Sequence, residues 1–239
     1  MNTTTGHASA PGWVGRFRSR QSGHPSGPVG RFFGRAMVKD TAASNDRAIE
    51  LLALSGPSTV LDVGCGQGRT IAELVRGGHR VVGVDPSSTM VAQARARNRD
   101  ACRRGDVEVL LGDGRLLPLA DDAIDHALTA HTVYFMPDPS VTFAEVARVL
   151  RPGGRFGVAC HVGDDPLPAW ADPEVYRIPT ADRLQEMLVN AGFHRIDVAS
   201  DGRSALARAA TFRPHLMVLD VMLPDVDGFE VLRRVRGDG

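Results

Sequence analysis

A glycine-rich turn preceded by an acid is the first stretch of the chain whose residue types and spacing fit chemistry. It reads VLDVGCGQGRT, residues 60–70, and Asp62 stands two residues before Gly64. Glycines let a strand turn directly into a helix, and they let a ligand approach the backbone closely. A carboxylate at Asp62 would repel a pyrophosphate and attract a cationic amino group. Because the spacing G-x-G-x-G also differs from the G-x-G-x-x-G of dinucleotide sites, the pattern disfavours NAD and FAD and favours a positively charged cofactor.

A second carboxylate follows at the end of VVGVD, residues 81–85. Asp85 would stand at the tip of the next strand, where a carboxylate can accept hydrogen bonds from both hydroxyls of a ribose. The alternative is a solvated acid that caps the following helix together with Ser87. The glycine turn nearby favours the ribose-binding role.

A second acid-rich loop lies near the end of the sequence. VLDVMLPDVDGFEV, residues 218–231, reads as a buried strand that runs through Asp220 into an acidic loop and then a helix. This stretch and the glycine turn would each be the centre of their own α/β unit.

Alternating strands and helices position these loops. Strands are predicted at residues 59–64, 80–85, 107–113, 123–135 and 155–160, with helices at residues 31–37, 45–56, 69–78, 87–98 and 140–154. Strands that are apolar throughout predict a Rossmann-like, doubly wound, mostly parallel α/β sheet with helices on both faces. Ligands of such sheets bind beyond the carboxyl ends of the strands.

Taken together, these residues resemble the class I S-adenosylmethionine-dependent methyltransferases, in particular the small-molecule group related to quinone methylases. The resemblance covers about residues 27–196, and its motifs occur in order: VLDVGCGQG, VVGVD, GDGRLLPLADDAIDHALTAHTVYFMPDP, EVARVLRPGGRFGVA and LVNAGF. It implies S-adenosyl-L-methionine as cofactor and a small-molecule methyl acceptor. PSGPVGRFFGRAM is also similar to the leader helix that some of these enzymes fold over the site.

The resemblance also implies a role for individual residues. Asp62 would receive the methionine amino group, and Asp85 would bind the ribose. The backbone would close on the cofactor at Gly64, Cys65, Gly66 and Gly68. The adenine would contact Pro86 or Met90, the side chain of Asp113 and the backbone of Gly114 or Arg115. Ala130 and His131 would face the sulfonium and the acceptor.

A general base is needed only if the acceptor must lose a proton early. His131 is the best-placed candidate, followed by Tyr134 and His161. The alternative for His131 is a hydrogen-bonded wall residue. Cys65 is disfavoured as a nucleophile because its spacing implies no partner histidine.

The ending of the chain resembles the middle of a response-regulator receiver domain, with Asp220 at the phosphoacceptor position. A receiver needs an acid pair after its first strand for magnesium, but the chain there reads PEVYRIP, residues 173–179. The later hydroxyl and lysine are not found after Arg236, and Lys39 is the only lysine. We therefore expect a truncated receiver-like fragment without phosphotransfer. A gene fusion, a frameshift or recombination inside the late segment of the methyltransferase would account for its origin. HLMVLDVML, residues 215–223, would fill the last strand position of the sheet or leave it empty, and an exposed edge would favour a homodimer.

Composition limits the remaining possibilities. The 239 residues carry 28 basic and 28 acidic side chains, which predicts no nucleic-acid or acidic-membrane partner. Three scattered cysteines indicate neither disulfides nor a metal site, and no apolar run reaches the roughly 18 residues of a membrane span, so a cytoplasmic protein is expected. The predicted divisions are a flexible tail (1–26), a methyltransferase domain (27–198) and a receiver-like fragment (199–239). The alternatives are a cofactor-binding sensor without turnover and a nucleotide-dependent oxidoreductase.

Overall fold

The computed structural model describes residues 12–27, 30, 45, 46, 48, 49, 52, 54–163, 171–199 and 216–219. Seven strands form one sheet, namely β1 (Thr59–Val63), β2 (Arg80–Asp85), β3 (Val107–Leu111), β4 (Ile124–Ala130), β5 (Leu150–Ala159), β6 (Ile196–Ala199) and β7 (Leu216–Leu219). The helices are α1 (Trp13–Gly23), α2 (Arg69–Arg76), α3 (Ser88–Arg97), α4 (Arg99–Arg104), α5 (Pro139–Val149) and α6 (Ala181–Asn190), with a 3-10 turn at Val133–Phe135. The strand order is β3-β2-β1-β4-β5-β7-β6, and every pairing is parallel. The Rossmann-like fold predicted from the sequence is confirmed.

The core lies on both faces of this sheet. One cluster packs α5 and α6 against the central strands, with Phe143 and Phe156 edge to face at 5.6 Å between ring centroids. The other packs α2 and α3 against the opposite face and includes Ile71 and Leu74. The strands contribute apolar residues to both clusters, and these apolar runs are the pattern from which the sequence analysis predicted the strands. Among the described residues, no helix is long and apolar enough to cross a membrane.

The last strand lies inside the sheet rather than at its edge. β7 pairs with β5 through Val158 and Val218 and with β6 over its full length. Residues 200–215 connect β6 to β7, a length that suffices for the crossover that parallel neighbours require. Residues 216–219, within the predicted HLMVLDVML segment, thus fill a strand position inside the sheet and run parallel to both neighbours. Asp220 and the predicted leader helix at residues 31–37 lie outside the described residues.

The N-terminal segment differs from the flexible tail expected for residues 1–26. Trp13–Gly23 form a helix, and Ser19 on its buried face accepts a hydrogen bond from the backbone N–H of Asp172 at 2.9 Å. Gly15 is also buried, whereas Trp13 and Val14 are exposed. Small and polar residues thus form the packed face of this helix. An apolar period, which is the usual sequence signal of a packed helix, is missing for that reason.

Candidate functional site

The glycine turn after β1 is folded in conformations that other residues rarely adopt. Gly64 has φ 77° and donates its N–H to the carbonyl of Val84 at 2.8 Å, which ties the turn to the end of β2. A Cβ at Gly64 would lie 2.4 Å from the side chain of Thr132. Gly66, with φ 52°, donates its N–H to Asp85 Oδ2 at 2.9 Å. Both positions therefore favour glycine because of their backbone angles. Gly64 also requires it because Thr132, which follows β4, approaches it closely.

Asp62 is buried at the carboxyl end of β1, with 3% of its surface exposed. Its Oδ2 has no hydrogen-bond partner among the described residues. Burial, followed by the nearby carboxylate of Asp85, raises the pKa of Asp62 to about 7. An unpartnered buried carboxylate oxygen is costly, so this position fits a ligand that brings a cationic donor.

Asp85 closes the other side of the turn. One carboxylate oxygen accepts from the backbone N–H of Gly66, and Oδ1 accepts from the backbone N–H of Ser87 at 2.8 Å. Burial raises the pKa of Asp85, and these two backbone donors act in the opposite direction. Ser87 itself caps α3 by accepting from Met90 N at 3.3 Å. Asp85 is thus buried and held in one orientation, unlike the solvated acid that was the alternative in the sequence analysis.

The turn after β3 brings Asp113 to the cavity and pairs it with Arg115. Asp113 lines the cavity, but its carboxylate accepts from the Arg115 guanidinium at 2.8 Å and from the Arg115 backbone N–H at 3.2 Å. This hydrogen bonding to Arg115 lowers the pKa of Asp113. Arg115 itself is exposed, and Gly114 is buried beneath the side chains of Thr142 and Val63. Adenine would therefore have to share the Asp113 carboxylate with Arg115.

Aromatic and imidazole rings cluster beyond the end of β4. His131 has φ 56°, rare for a residue with a side chain, and its N–H donates to the carbonyl of Ala159 at 2.7 Å. Its Nδ1 lies 3.2 Å from the Tyr134 hydroxyl, and its ring centroid lies 5.5 Å from that of His161. Tyr134 is buried, which raises the pKa of its hydroxyl, and it stacks on Tyr176 at 5.7 Å. An unusual backbone angle held by a strong hydrogen bond favours a functional role for His131.

One cavity joins these groups at the carboxyl ends of β1, β2 and β4. Of the residues predicted from the sequence, those that line it are Asp62, Gly64, Cys65, Gly66, Asp85, Pro86, Met90, Asp113, Ala130 and His131. Gly68, Gly114, Arg115 and Tyr134 do not line it. Their binding or catalytic roles remain predictions.

Several lining residues escaped the sequence analysis. They are Ser22, Gly23, Pro25, Asn45, Val63, Gln67, Arg69, Thr70, Gly112, Thr132, Phe135, Met136 and Pro137. Gln67 and Arg69 are adjacent to the glycines of the turn, so the sequence could have indicated that they line the cavity. The three residues from α1 and the turn after it had none, because that segment was expected to be unstructured.

Cys65 lines the cavity without the features of a nucleophile. Its thiol is buried against the core, and this burial raises the pKa of the thiol well above its ordinary value. The neighbouring carboxylates of Asp62 and Asp85 act in the same direction. A thiol that stays protonated is unreactive, which agrees with the sequence analysis.

Two family models match the chain. Residues 61–158 match the model described as a methyltransferase domain, and residues 179–239 match the model described as a response regulator receiver domain. The first match begins in β1 and ends in β5, so it includes the carboxyl ends of β1, β2 and β4, where the cavity lies. The second begins just before α6 and overlaps β6 and β7.

Relatives and solved structures agree with the first match. The chain is 40% identical over 154 residues to an uncharacterised 37.1 kDa protein in transposon TN4556 of Streptomyces fradiae, covering 62% of this chain and 44% of that protein. It is 31% identical over 169 residues to an O-methyltransferase of Pyrenophora dematioidea, covering 65% and 62%. A solved complex of the Haloferax volcanii Trm112 methyltransferase activator with a methyltransferase contains a chain of similar fold, with TM-score 0.61, 27% identity and coverage of 75% and 76%. The chain therefore spans about half the length of the curated relatives that it matches.

Proposed function

We propose that this chain is an S-adenosylmethionine-dependent methyltransferase that acts on a small-molecule acceptor, since residues 61–158 are a methyltransferase domain in sequence and in fold. One observation carries the proposal. At the carboxyl end of β1, beside a glycine turn with left-handed backbone, the buried carboxylate of Asp62 has an oxygen that no described residue hydrogen-bonds. The ammonium group of an amino-acid cofactor would supply the missing donor and the missing charge.

The remaining cofactor groups have counterparts along the same cavity. Asp85 has one backbone partner on each oxygen, which leaves acceptor capacity for ribose hydroxyls. Two residues that would contact adenine line this cavity, namely Met90, which is buried, and Pro86, which is exposed. S-adenosylmethionine supplies a methyl group that is already activated on a sulfonium. The protein therefore needs chiefly to hold the acceptor close and aligned, which can lower a barrier by up to about 7–11 kcal/mol.

We propose a hydroxyl acceptor with His131 as the base, an assignment that one relative named as an O-methyltransferase supports. His131 lines the cavity through the end of β4, and its Nδ1 is within hydrogen-bond distance of the Tyr134 hydroxyl. If Nδ1–H donates to the Tyr134 oxygen, the tautomer places the lone pair of the ring on Nε2, which is the nitrogen that can accept a proton. Because burial keeps Tyr134 protonated, this residue positions the imidazole and does not serve as the base. His161, 5.5 Å from His131 between ring centroids, forms the wall behind it.

Two measurements test the proposal. Calorimetry should show S-adenosylhomocysteine binding to the full chain. Transfer of labelled methyl from S-adenosylmethionine to a panel of hydroxyl compounds should then be lost in His131→Asn, while that variant still binds S-adenosylhomocysteine. A folded chain that binds no S-adenosylhomocysteine would contradict the cofactor. Binding without transfer to any hydroxyl, amine, thiol or carbon acceptor would contradict the enzyme and favour a sensor.

We propose that the ending, residues 199–239, is a receiver-like fragment without phosphotransfer that completes the sheet of the domain at residues 27–198. The receiver family match over residues 179–239 and the pairing of β7 with β5 support this. Asp220→Ala is then expected to leave methyl transfer unchanged, and a large loss of activity would contradict it. β6 pairs only with β7 among the described strands, so its outer edge is the surface we propose for a homodimer. We also propose a cytoplasmic location, since Cys65, Cys102 and Cys160 form no disulfide among the described residues.

A further inference from the structure

Helix α1 carries an apolar patch on its outer side that consists of Trp13, Val14 and Phe17. Phe17 comes four positions after Trp13 and three after Val14, so the three side chains lie on one side of the helix. All three are exposed, Trp13 by 74% of its surface. The rings of Trp13 and Phe17 stack, with 5.8 Å between their centroids. Single exposed apolar residues are ordinary, but a continuous patch of this kind indicates an interaction surface.

Arginines flank this patch on both sides. At about 100° per residue, Arg16 and Arg20 lie beside one border of the patch, and Arg18 lies beside the other. All three arginines are exposed. The helix contains no aspartate or glutamate. The balanced charge of the whole chain, from which no acidic-membrane partner was expected, therefore does not describe this helix, which has a local excess of positive charge.

The opposite side of α1 and the turn after it attach the helix to the domain. Gly15 and Ser19 are buried, and Ser19 Oγ accepts a hydrogen bond from the backbone N–H of Asp172 at 2.9 Å. Beyond the end of the helix, the carbonyl of Pro25 accepts a hydrogen bond from the hydroxyl of Ser87. These contacts hold the patch and its arginines on the outer surface of the folded protein.

The composition of this surface favours one kind of partner. A second copy of the chain would bring its own arginines against the first set, and like charges repel. Single-stranded nucleic acid binds by stacking bases on ring faces, but Trp13 and Phe17 each use one face for their own stack, and Val14 has no ring. Helices that lie on membranes combine Trp and Phe on one side with basic residues. An anionic lipid surface would contact both the patch and the arginines.

We propose that α1 docks the protein on an anionic lipid surface. The side chains of Trp13, Val14 and Phe17 enter the boundary between headgroups and acyl chains, and the arginines contact the lipid phosphates. The cytoplasmic leaflet of membranes carries such lipids, which agrees with the proposed cytoplasmic location. Gly23, which lines the cavity, lies six residues after Phe17, or about 9 Å along the helix. Docking therefore brings the lipid surface close to the cavity.

Sedimentation of the full chain with lipid vesicles measures this docking. Each arginine near an anionic surface contributes about fivefold in affinity, so vesicles of phosphatidylcholine and phosphatidylserine should bind the protein at least about tenfold more tightly than vesicles of phosphatidylcholine alone. Added salt should reduce that difference. Trp170→Phe leaves Trp13 as the only tryptophan. In this variant, the emission of Trp13 should shift to shorter wavelength when the phosphatidylserine vesicles are added.

Substitutions on α1 and elsewhere locate the contact. Trp13→Ser should weaken binding to phosphatidylserine vesicles about tenfold or more, because a large apolar side chain no longer leaves water. Arg16→Gln should weaken it about fivefold. Leu116→Ser and Arg103→Gln are the matched controls, since Leu116 is 83% exposed and Arg103 is exposed on α4, and neither should change the affinity. Denaturant unfolding checks that all four variants fold.

Several outcomes would overturn the proposal. These are binding to neither kind of vesicle, equal binding to both, and losses of affinity in the Leu116 and Arg103 variants but not in the α1 variants. Binding of oligothymidylate or polyglutamate through Trp13 and Arg16, without binding to vesicles, would also overturn it and assign the helix to another polyanion. Calorimetry with S-adenosylhomocysteine tests the proposed function separately, because vesicle binding requires neither the cofactor nor methyl transfer.

Discussion

Replacing Asp62 by asparagine should make the protein more stable relative to the unchanged chain at pH 8 than at pH 5, and it should weaken cofactor binding. In the folded state, burial and Asp85 raise the pKa of Asp62 to about 7, against an ordinary value of 3.8. A carboxyl group whose folded pKa lies above its unfolded pKa binds more protons when folded. The free energy of unfolding then falls as pH rises from about 4 to about 7 and is level above that range.

The size of this effect follows from the same values. A tenfold change in an acid dissociation constant is worth about 1.4 kcal/mol, so ionisation of Asp62 costs the folded state about 4 kcal/mol in all. Most of this ionisation cost arises between pH 5 and pH 7. The stability of Asp62→Asn relative to the unchanged protein should therefore increase by about 2–3 kcal/mol between pH 5 and pH 8. The comparison between two pH values removes the fixed cost of burying the amide.

Denaturant unfolding of both proteins at pH 5 and pH 8 measures this difference. Asp100→Asn is the control for an acid-to-amide change at the surface, because the side chain of Asp100 is 82% exposed. Calorimetry at pH 8 should show that Asp62→Asn weakens S-adenosylhomocysteine binding by about 1.5–3 kcal/mol, the value of a hydrogen bond between charged groups. A stability difference that is the same at both pH values would refute the desolvation argument, and an unchanged affinity would refute the ammonium assignment.

Three further substitutions probe the rest of the site. Gly64→Ala should lower the free energy of unfolding by about 2–4 kcal/mol, because residue 64 has a left-handed backbone and its methyl group would meet the Thr132 side chain. Gly78→Ala is the control, since Gly78 has φ 85° but open space around it, and it should cost only about 1–2 kcal/mol in the same denaturant titration. Asp85→Ala should weaken S-adenosylhomocysteine binding by about 1–3 kcal/mol in calorimetry, and an unchanged affinity would mean that the ribose assignment is wrong. Tyr134→Phe should leave that affinity unchanged but alter the pH profile of methyl transfer; an unaltered profile would show that the hydroxyl does not position His131.

The parts of the fold that follow from local pattern could be predicted from the sequence. The first five strands each contain a run of buried apolar residues, and the glycine turn is recognisable because few other residues tolerate its backbone angles. The position of Asp62 at a strand end followed from the same pattern. The sequence could not predict that Asp62 is buried, or that its Oδ2 has no hydrogen-bond partner among the described residues. Both features depend on segments elsewhere in the chain that pack against Asp62.

Other features depend on contacts between distant residues. The orientation of the Gln67 amide is set by Arg97, thirty residues further along the chain. The ion pair between the Arg115 guanidinium and Asp113 could not be predicted from the sequence, whereas contact of the Arg115 backbone with adenine stays a prediction. Helix α1 was missed because Gly15 and Ser19 form its packed face, and residues of this kind are equally common in unstructured segments.

The parallel direction of β7 links the end of the chain to the chemistry at its centre. Leu219, the last residue of β7, pairs with Ala159 of β5, and the carbonyl of Ala159 accepts the hydrogen bond that fixes the backbone of His131. Residues 216–219 are thus one residue pair away from the proposed base. A change in the pairing of this strand would therefore reach the acceptor side of the proposed site through Ala159.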